Sequence, residues 1–289
     1  MAVRPLMSLI LAFPLAVSAV SQIGAPRDDG DALVKRALAH EVRAANDVRH
    51  PMRYRLRKQS PRVSSTKEIC ETRDGAVARL TAINDTPLSQ ADEQREQARL
   101  NQLLSDPGKQ RHRKQTETED AARAMKVLRA LPDAFLYQDA GPVEGSAGKV
   151  ERFTFRPNPK FNPPDLETQV LRGMTGEIWI DVAQERVARL EGRLREDVDF
   201  VWGILGQLKR GGWIVIEQSD VGDHQWRIVH FKMSMSARVV FRTKSFDTTE
   251  DQSGFMPVPV DLRYQQAIAM LRANGAHASN GDEATASKR

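Results

Sequence analysis

Strict alternation of apolar and polar residues dominates the second half of the chain. From His224 to Lys244 the sequence runs HQWRIVHFKMSMSARVVFRTK, and seven apolar positions fall at period two: Val229, Phe231, Met233, Met235, Ala237, Val239 and Phe241. Polar side chains separate them, with Val240 the one exception. That period cannot place all seven on one helix face, so the segment reads as strand. Its length predicts either a bent strand or two strands meeting at a tight turn near 234–237. GEIWIDV (176–182) and RVARLEGRLR (186–195) alternate in the same way and predict a hairpin. AFLYQD (134–139), KVERFTF (149–155) and GWIVIEQS (212–219) add further strands. In the first half MRYRLRK (52–58), STKEICETR (65–73) and AVARLTAI (76–83) are strand-like, the last two joined by the turn pair Asp74-Gly75. One dry face and one wet face per strand indicate an antiparallel meander.

Helical periodicity marks three regions. Leu33, Ala37, Leu38 and Val42 give an amphipathic helix over 31–47. Residues 88–131 are mostly polar, with one apolar stripe at Leu100, Leu103 and Leu104 and a second from Ala121 to Leu131. Pro107-Gly108 separates the two, so the region reads as a helical hairpin inserted between strands. A terminal helix follows at 261–274. RPNPKFNPP (156–164) holds four prolines in nine residues, which fits neither a central strand nor a helix interior. It predicts a stiff crossing, after which Asp165 caps a short helix over 165–174 that stops at Gly173. Two roles stay open for this crossing. It is a brace between elements, or it lays Phe161, Leu166 and Val170 across the rim of a binding site.

The predicted fold class is α+β: a single curved antiparallel sheet, an open half-barrel, with helices packed on its concave side. The predicted organisation is a signal peptide at 1–19, a polar spacer at 20–30, one domain over 31–274 carrying the insertion at about 88–131, and a disordered tail at 275–289. The signal rests on a positive start, the apolar run Pro5 to Ala19, and Val17 and Ala19 at the positions a signal peptidase reads. No later stretch is long and apolar enough to span a bilayer. Cys70 is the single cysteine, so an internal disulfide is excluded and the residue reads as a small buried side chain.

The net charge of +5 raises nucleic-acid binding as a function. The clearest basic run, KQRHRK (109–114), is followed at once by ETED and has no aromatic neighbours, which points to a solvated helix face instead. No hydrolase, metalloprotease, redox or nucleotide-binding motif occurs, so no catalytic residue, metal ligand or cofactor is assigned. His230 reads as a surface histidine, and Asp197 and Asp199 as an exposed turn. The dry strand face mixes aromatic and flexible methionine side chains: Phe153, Phe155, Phe231, Met233, Met235 and Phe241. Such a face is either a plain core against helices or a partly open cup for an apolar guest.

TGEIWIDVAQERVARLEGRL resembles the recurring hairpin of the LolA/LolB-like periplasmic lipoprotein carriers. Gly176, Trp179, Asp181, Val187, Arg189 and Gly192 carry the pattern. The block from ALPDAFLYQDAG through RFTFRPNPKFNPP to VWGILG is also similar to exported bacterial proteins of unknown role. The resemblance covers about residues 134–245 and implies a half-barrel that binds an apolar ligand. The expected function is therefore an exported, non-enzymatic protein, periplasmic or secreted, that binds or carries a lipid or lipoprotein acyl chain. The alternative is a structural or interaction protein of the cell envelope, with a protein partner and a filled core.

Overall fold

The computed structural model describes residues 28–143, 149–200, 206–239 and 242–273. The signal-like segment with its cleavage position, Phe241 and the C-terminal tail lie outside the described residues. Helix α1 (Asp28–Ala45) leads into β1 (Met52–Gln59), β2 (Ser64–Cys70), β3 (Val77–Ile83) and the two-residue β4 (Thr86–Pro87). The helical hairpin is α2 (Gln90–Ser105) and α3 (Pro107–Ala134), followed by β5 (Phe135–Pro142) and β6 (Val150–Pro157). A 3-10 turn (Glu167–Gly173) precedes β7 (Met174–Asp181) and β8 (Arg186–Leu194). The chain then forms β9 (Val198–Phe200), β10 (Gly206–Leu208), β11 (Trp213–Asp220), β12 (Trp226–Val239) and β13 (Arg242–Pro257). Residues 264–273 form the last helix, α4.

Among the described residues the strands make one 13-stranded sheet, in the order β4-β3-β2-β1-β13-β12-β11-β8-β7-β6-β5. β9 and β10 form a side hairpin on β12. The end strands β4 and β5 do not pair with each other, so the sheet is open, as the α+β expectation required. Two local expectations need correction. The turn in the long alternating segment comes after Val239 and not at 234–237, because β12 and β13 pair without a break from His230–Asp251 to Val239–Arg242. The short helix after Asp165 ends at Gly173 as expected but is a 3-10 helix, Glu167–Gly173, and not an α-helix. Asp165 does cap it, its Oδ1 accepting from the Thr168 amide at 3.0 Å.

Residues directly opposite on neighbouring strands share a face of the sheet. Phe153 lies opposite Ile178, Ile178 opposite Leu190, Leu190 opposite Ile216, and Ile216 opposite Phe231. This defines the inner face. The other face carries Trp179, Arg189, Glu217, His230, Asp251 and Arg57 in one register row. It is the wet face of the alternation, and its charges pair across strands. Arg189 bonds Glu217 and sits 5.2 Å over the Trp179 ring. His230 Nδ1 lies 2.7 Å from Asp251 Oδ1, and Arg57 is 3.8 Å from Asp251 and 2.7 Å from Asp85.

Two separate cores hold the flanks. The first joins α1 (Leu33, Val34, Ala37, Leu38) and the end of α3 (Leu131, Ala134) to the inner face of β5 to β8, centred on Phe153, Ile178 and Ile180. Its packing leaves no spare room. A Cβ added at Gly30 of α1 would come within 2.9 Å of the Phe153 ring, and one at Gly176 would run into the Glu191 carbonyl and approach Phe155 Cζ to 2.7 Å. The second core joins Cys70 and Val77 to Leu100 and Leu103 of α2 and to Ala267, Ile268 and Leu271 of α4. α2 also covers the edge of β3 that the short β4 leaves free: Leu80 N donates to Glu96 at 2.9 Å, and Arg99 donates to the Ala78 carbonyl. Covering that edge blocks further strand addition there.

Candidate functional site

The central strands lie between these two cores: Ile214 packs against the first, while Ile216, Phe231, Met233 and Met235 belong to neither. Ile214, Ile216, Phe231, Met233 and Met235 are half-buried. Register places Ile216 beside Phe231 and Ile214 beside Met233, forming an apolar lane across β11 and β12. Among the described residues α1, α2 and α3 pack on β3, β5, β7 and β8 and make no extensive contact with β11, β12, β13 or β1. The lane has a polar border. On β13 and β1 the inner face carries Glu250 opposite Phe231, then Lys58 opposite Glu250, ion-paired at 2.7 Å. Further along the same border Tyr54 stacks on Phe255 with ring centroids 5.2 Å apart. Burial pushes the Tyr54 hydroxyl above its ordinary range, Glu71 adds to the shift, and Arg227 opposes it.

Helix α3 spans the gap. Its 28 residues are about 42 Å long at 1.5 Å per residue. Near the N-terminus Gln110 donates to the Asp74 carbonyl at 2.9 Å, Lys114 to the Arg73 carbonyl at 2.7 Å, and Glu117 accepts from Ala76 N at 3.0 Å. These contacts pin the helix to the β2–β3 turn. The other end sits in the first core beside β5. The stretch between, residues 118–124, is exposed. The helix therefore crosses from one flank of the sheet to the other, and its middle does not rest on the central strands. That is why its sequence is polar in the middle and apolar near its end.

The residues singled out from sequence separate into three groups. Phe153 and Phe155 are sealed in the first core, at 1% and 5% exposure, and stand outside the lane. Phe161 and Val170 are partly buried against that core, while Leu166 is exposed. Phe231, Met233 and Met235 lie in the central lane. The proline-rich crossing ties down the end of α3: Asn158 N donates to the Ala134 carbonyl at 2.8 Å and Asn158 Nδ2 to the Asp133 carbonyl at 2.9 Å. Those bonds satisfy carbonyls that a helix end leaves without partners. Sequence reasoning placed Ile214 and Ile216 on a strand and missed their part in the lane, because only the register with β12 reveals it. Tyr54 and Phe255 meet from opposite ends of the chain, and no local pattern announces their contact.

Chemistry elsewhere is already engaged. Asp197 accepts from Lys209 Nζ and Arg210 N, both at 2.7 Å, and these bonds hold its carboxyl below the usual carboxylate range. Asp199 accepts from Gln207 at 2.7 Å. Among the described residues no three His, Cys, Asp or Glu side chains are arranged to hold a metal ion, and no helix is long and apolar enough to cross a membrane. Two surface clefts, of about 530 and 520 Å³, lie near the C-terminal end of β8 and are lined mainly by charged residues such as Arg193, Arg195 and Arg210. Neither is lined by Phe231, Met233 or Met235.

No protein family matches the chain, and no curated protein matches it. Among solved structures, a candidate outer membrane lipoprotein-sorting protein domain from Vibrio parahaemolyticus is similar at 11% identity, over 80% of this chain and 96% of that one, with a TM-score of 0.31. A TM-score that low supports no argument from the other protein's architecture or cargo.

Proposed function

We propose that this is an exported protein of the cell envelope that binds a lipid-like apolar ligand along the inner face of its sheet, beneath α3. The observation that carries this reading is the lane of Ile216, Phe231, Met233 and Met235, apolar yet outside both cores, with Ile214 joining it to the first core. Phe153 and Phe155 support the lane from the neighbouring core, and Phe161, Leu166 and Val170 stand at its rim. Methionine adapts to guests of varied shape. Burying a chain of about sixteen carbons at roughly 0.8 kcal/mol per CH₂ offers on the order of 12 kcal/mol before ordering costs. A second reading, an envelope scaffold without ligand, draws support from the position of both surface clefts away from the lane.

A fluorescent fatty-acid probe separates the two. The carrier reading expects micromolar binding or better by the wild type, and a loss of about tenfold or more on Met233→Glu, since a charge there repels the chain. Ser236→Glu, on the wet face of the same strand, leaves the affinity unchanged. Absence of probe binding by the wild type, or equal effects of the two variants, favours the scaffold.

A further inference from the structure

The β12–β13 hairpin outruns the sheet that contains it. β11 begins at Trp213, opposite Ser234, and β1 ends at Gln59, opposite Thr249. Beyond those residues β12 and β13 still pair, from Met235–Phe246 to Val239–Arg242. At about 3.4 Å per residue the projection is roughly 17 Å. On one side the ribbon meets only β10, at Gln207 and Leu208. Its other edge, β13 from Arg242 to Asp247, has no strand neighbour among the described residues. Residues 242–247 are all exposed.

The β9–β10 hairpin supports the β12 side of the ribbon, and its β13 side is left to whatever it meets. Its composition specifies the partner. Arg242, Lys244 and Phe246 alternate onto one face, and Arg238 projects from the other. Phe246 leaves 49% of its surface in water. Arg238, Arg242 and Lys244 make no ion pair among the described residues. Asp247, the nearest carboxylate along these strands, is held by the Ser234 hydroxyl. Charge on an exposed edge guards against aggregation, but that role needs no aromatic ring left in solvent beside it. Cations with long aliphatic stems next to an aromatic ring suit the boundary between lipid headgroups and acyl chains.

We propose that this ribbon docks the protein on an anionic lipid surface, with Arg242 and Lys244 against the headgroups and Phe246 entering the interface. These residues continue the inner face past Met235, and the docking does not require the lane to hold a ligand. Flotation of the full chain with vesicles tests it. Vesicles of phosphatidylcholine with phosphatidylglycerol bind the wild type, high salt weakens the binding, and pure phosphatidylcholine does not bind. Each basic side chain near such a surface is worth roughly fivefold in affinity, so Arg242→Gln and Lys244→Gln together lose about 25-fold. Phe246→Ser also weakens binding. Arg242→Lys keeps binding, which separates charge from misfolding. Lys109→Gln with Arg111→Gln, on α3, serves as the control and changes nothing. Equal binding to pure phosphatidylcholine, no binding at all, or loss in the α3 control with the ribbon variant intact overturns the proposal. So does tighter binding to a single-stranded oligonucleotide or to polyglutamate than to the anionic vesicles.

Discussion

Replacing Phe153 and Phe231 by alanine, one at a time, tests whether the centre of the sheet is core. Both are phenylalanines on the same face, separated only by β7, β8 and β11. Phe153 is 1% exposed, lies against Gly30 of α1, and pairs with the fully buried Ile178. Deleting its ring leaves a hole walled by a helix and a strand that cannot close without moving α1. Such deletions cost about 3–5 kcal/mol. Phe231 is half-buried and has Ile216 and Glu250 as cross-strand neighbours. Its ring already gives part of its surface to solvent, so the loss is on the order of 1 kcal/mol. For a domain of this size 1 kcal/mol moves the melting temperature by roughly 3 °C, so the expected drops are about 10–15 °C and about 3 °C. Circular dichroism melts, supported by urea titrations with unchanged slope, read the difference. Probe affinity runs the opposite way: Phe153→Ala retains it well below its melting temperature, and Phe231→Ala weakens it. Equal melting shifts would show that the centre of the sheet is packed like its flank, and the open-lane argument would fail with it.

Two further outcomes follow from buried groups. Glu41 of α1 accepts from Arg186 Nε at 2.8 Å, Arg186 Nη2 at 3.0 Å and Val187 N at 3.0 Å, with both side chains about nine-tenths buried. Glu41→Ala leaves that guanidinium uncompensated and is expected to lower urea stability by about 3–5 kcal/mol, much of it recovered by adding Arg186→Met; a loss under about 1 kcal/mol refutes the assignment. Cys70 is fully buried and burial pushes its thiol up to about 11, so it stays protonated at neutral and mildly alkaline pH. A thiol reagent is expected to label it only in denaturant, and rapid labelling of the native protein would show that the second core opens.

The sequence made the strands of the flanks legible because each has a core on one face and water on the other. GEIWIDV alternates cleanly since Ile178 and Ile180 enter the first core, while in RVARLEGRLR a register shift opposite Trp179 and Ile180 turns Val187 into the same core as Leu194. Particular residues of this hairpin also have local causes: Gly176 faces Gly192 where a side chain has no room, and Trp179 and Arg189 stack across the strands. β13 lacked any such signal. RTKSFDTTEDQSGFMP is a sixteen-residue strand whose first part projects into solvent on both faces, so no period-two contrast arises. The division of the dry face was equally hidden. Phe153 and Phe231 occupy equivalent places in their local patterns, and only the positions of α1 and α3 make one a core residue and the other a lane residue. A pattern records that a face is dry, not what covers it.

An uncovered centre raises the question of what keeps β11, β12, β13 and β1 together. The backbone ladders supply direction, and the paired outer face supplies the remainder. The row from Trp179 through Arg189, Glu217, His230 and Asp251 to Arg57 crosses six strands, and its charged members each meet a partner on an adjacent strand. A single exposed ion pair contributes roughly 0–1 kcal/mol, but a row of them in one register fixes which residue faces which. A slip of one residue at β12 would move Phe231 and Met233 to the wet face and break the contacts of His230 and Lys232 at once, Lys232 lying 5.4 Å over the Trp213 ring. Register is thus specified from the outside of the sheet. The two cores clamp its flanks, the outer row locks its centre, and the inner lane is released from structural duty. That separation lets an apolar surface stay half-exposed in a stable fold.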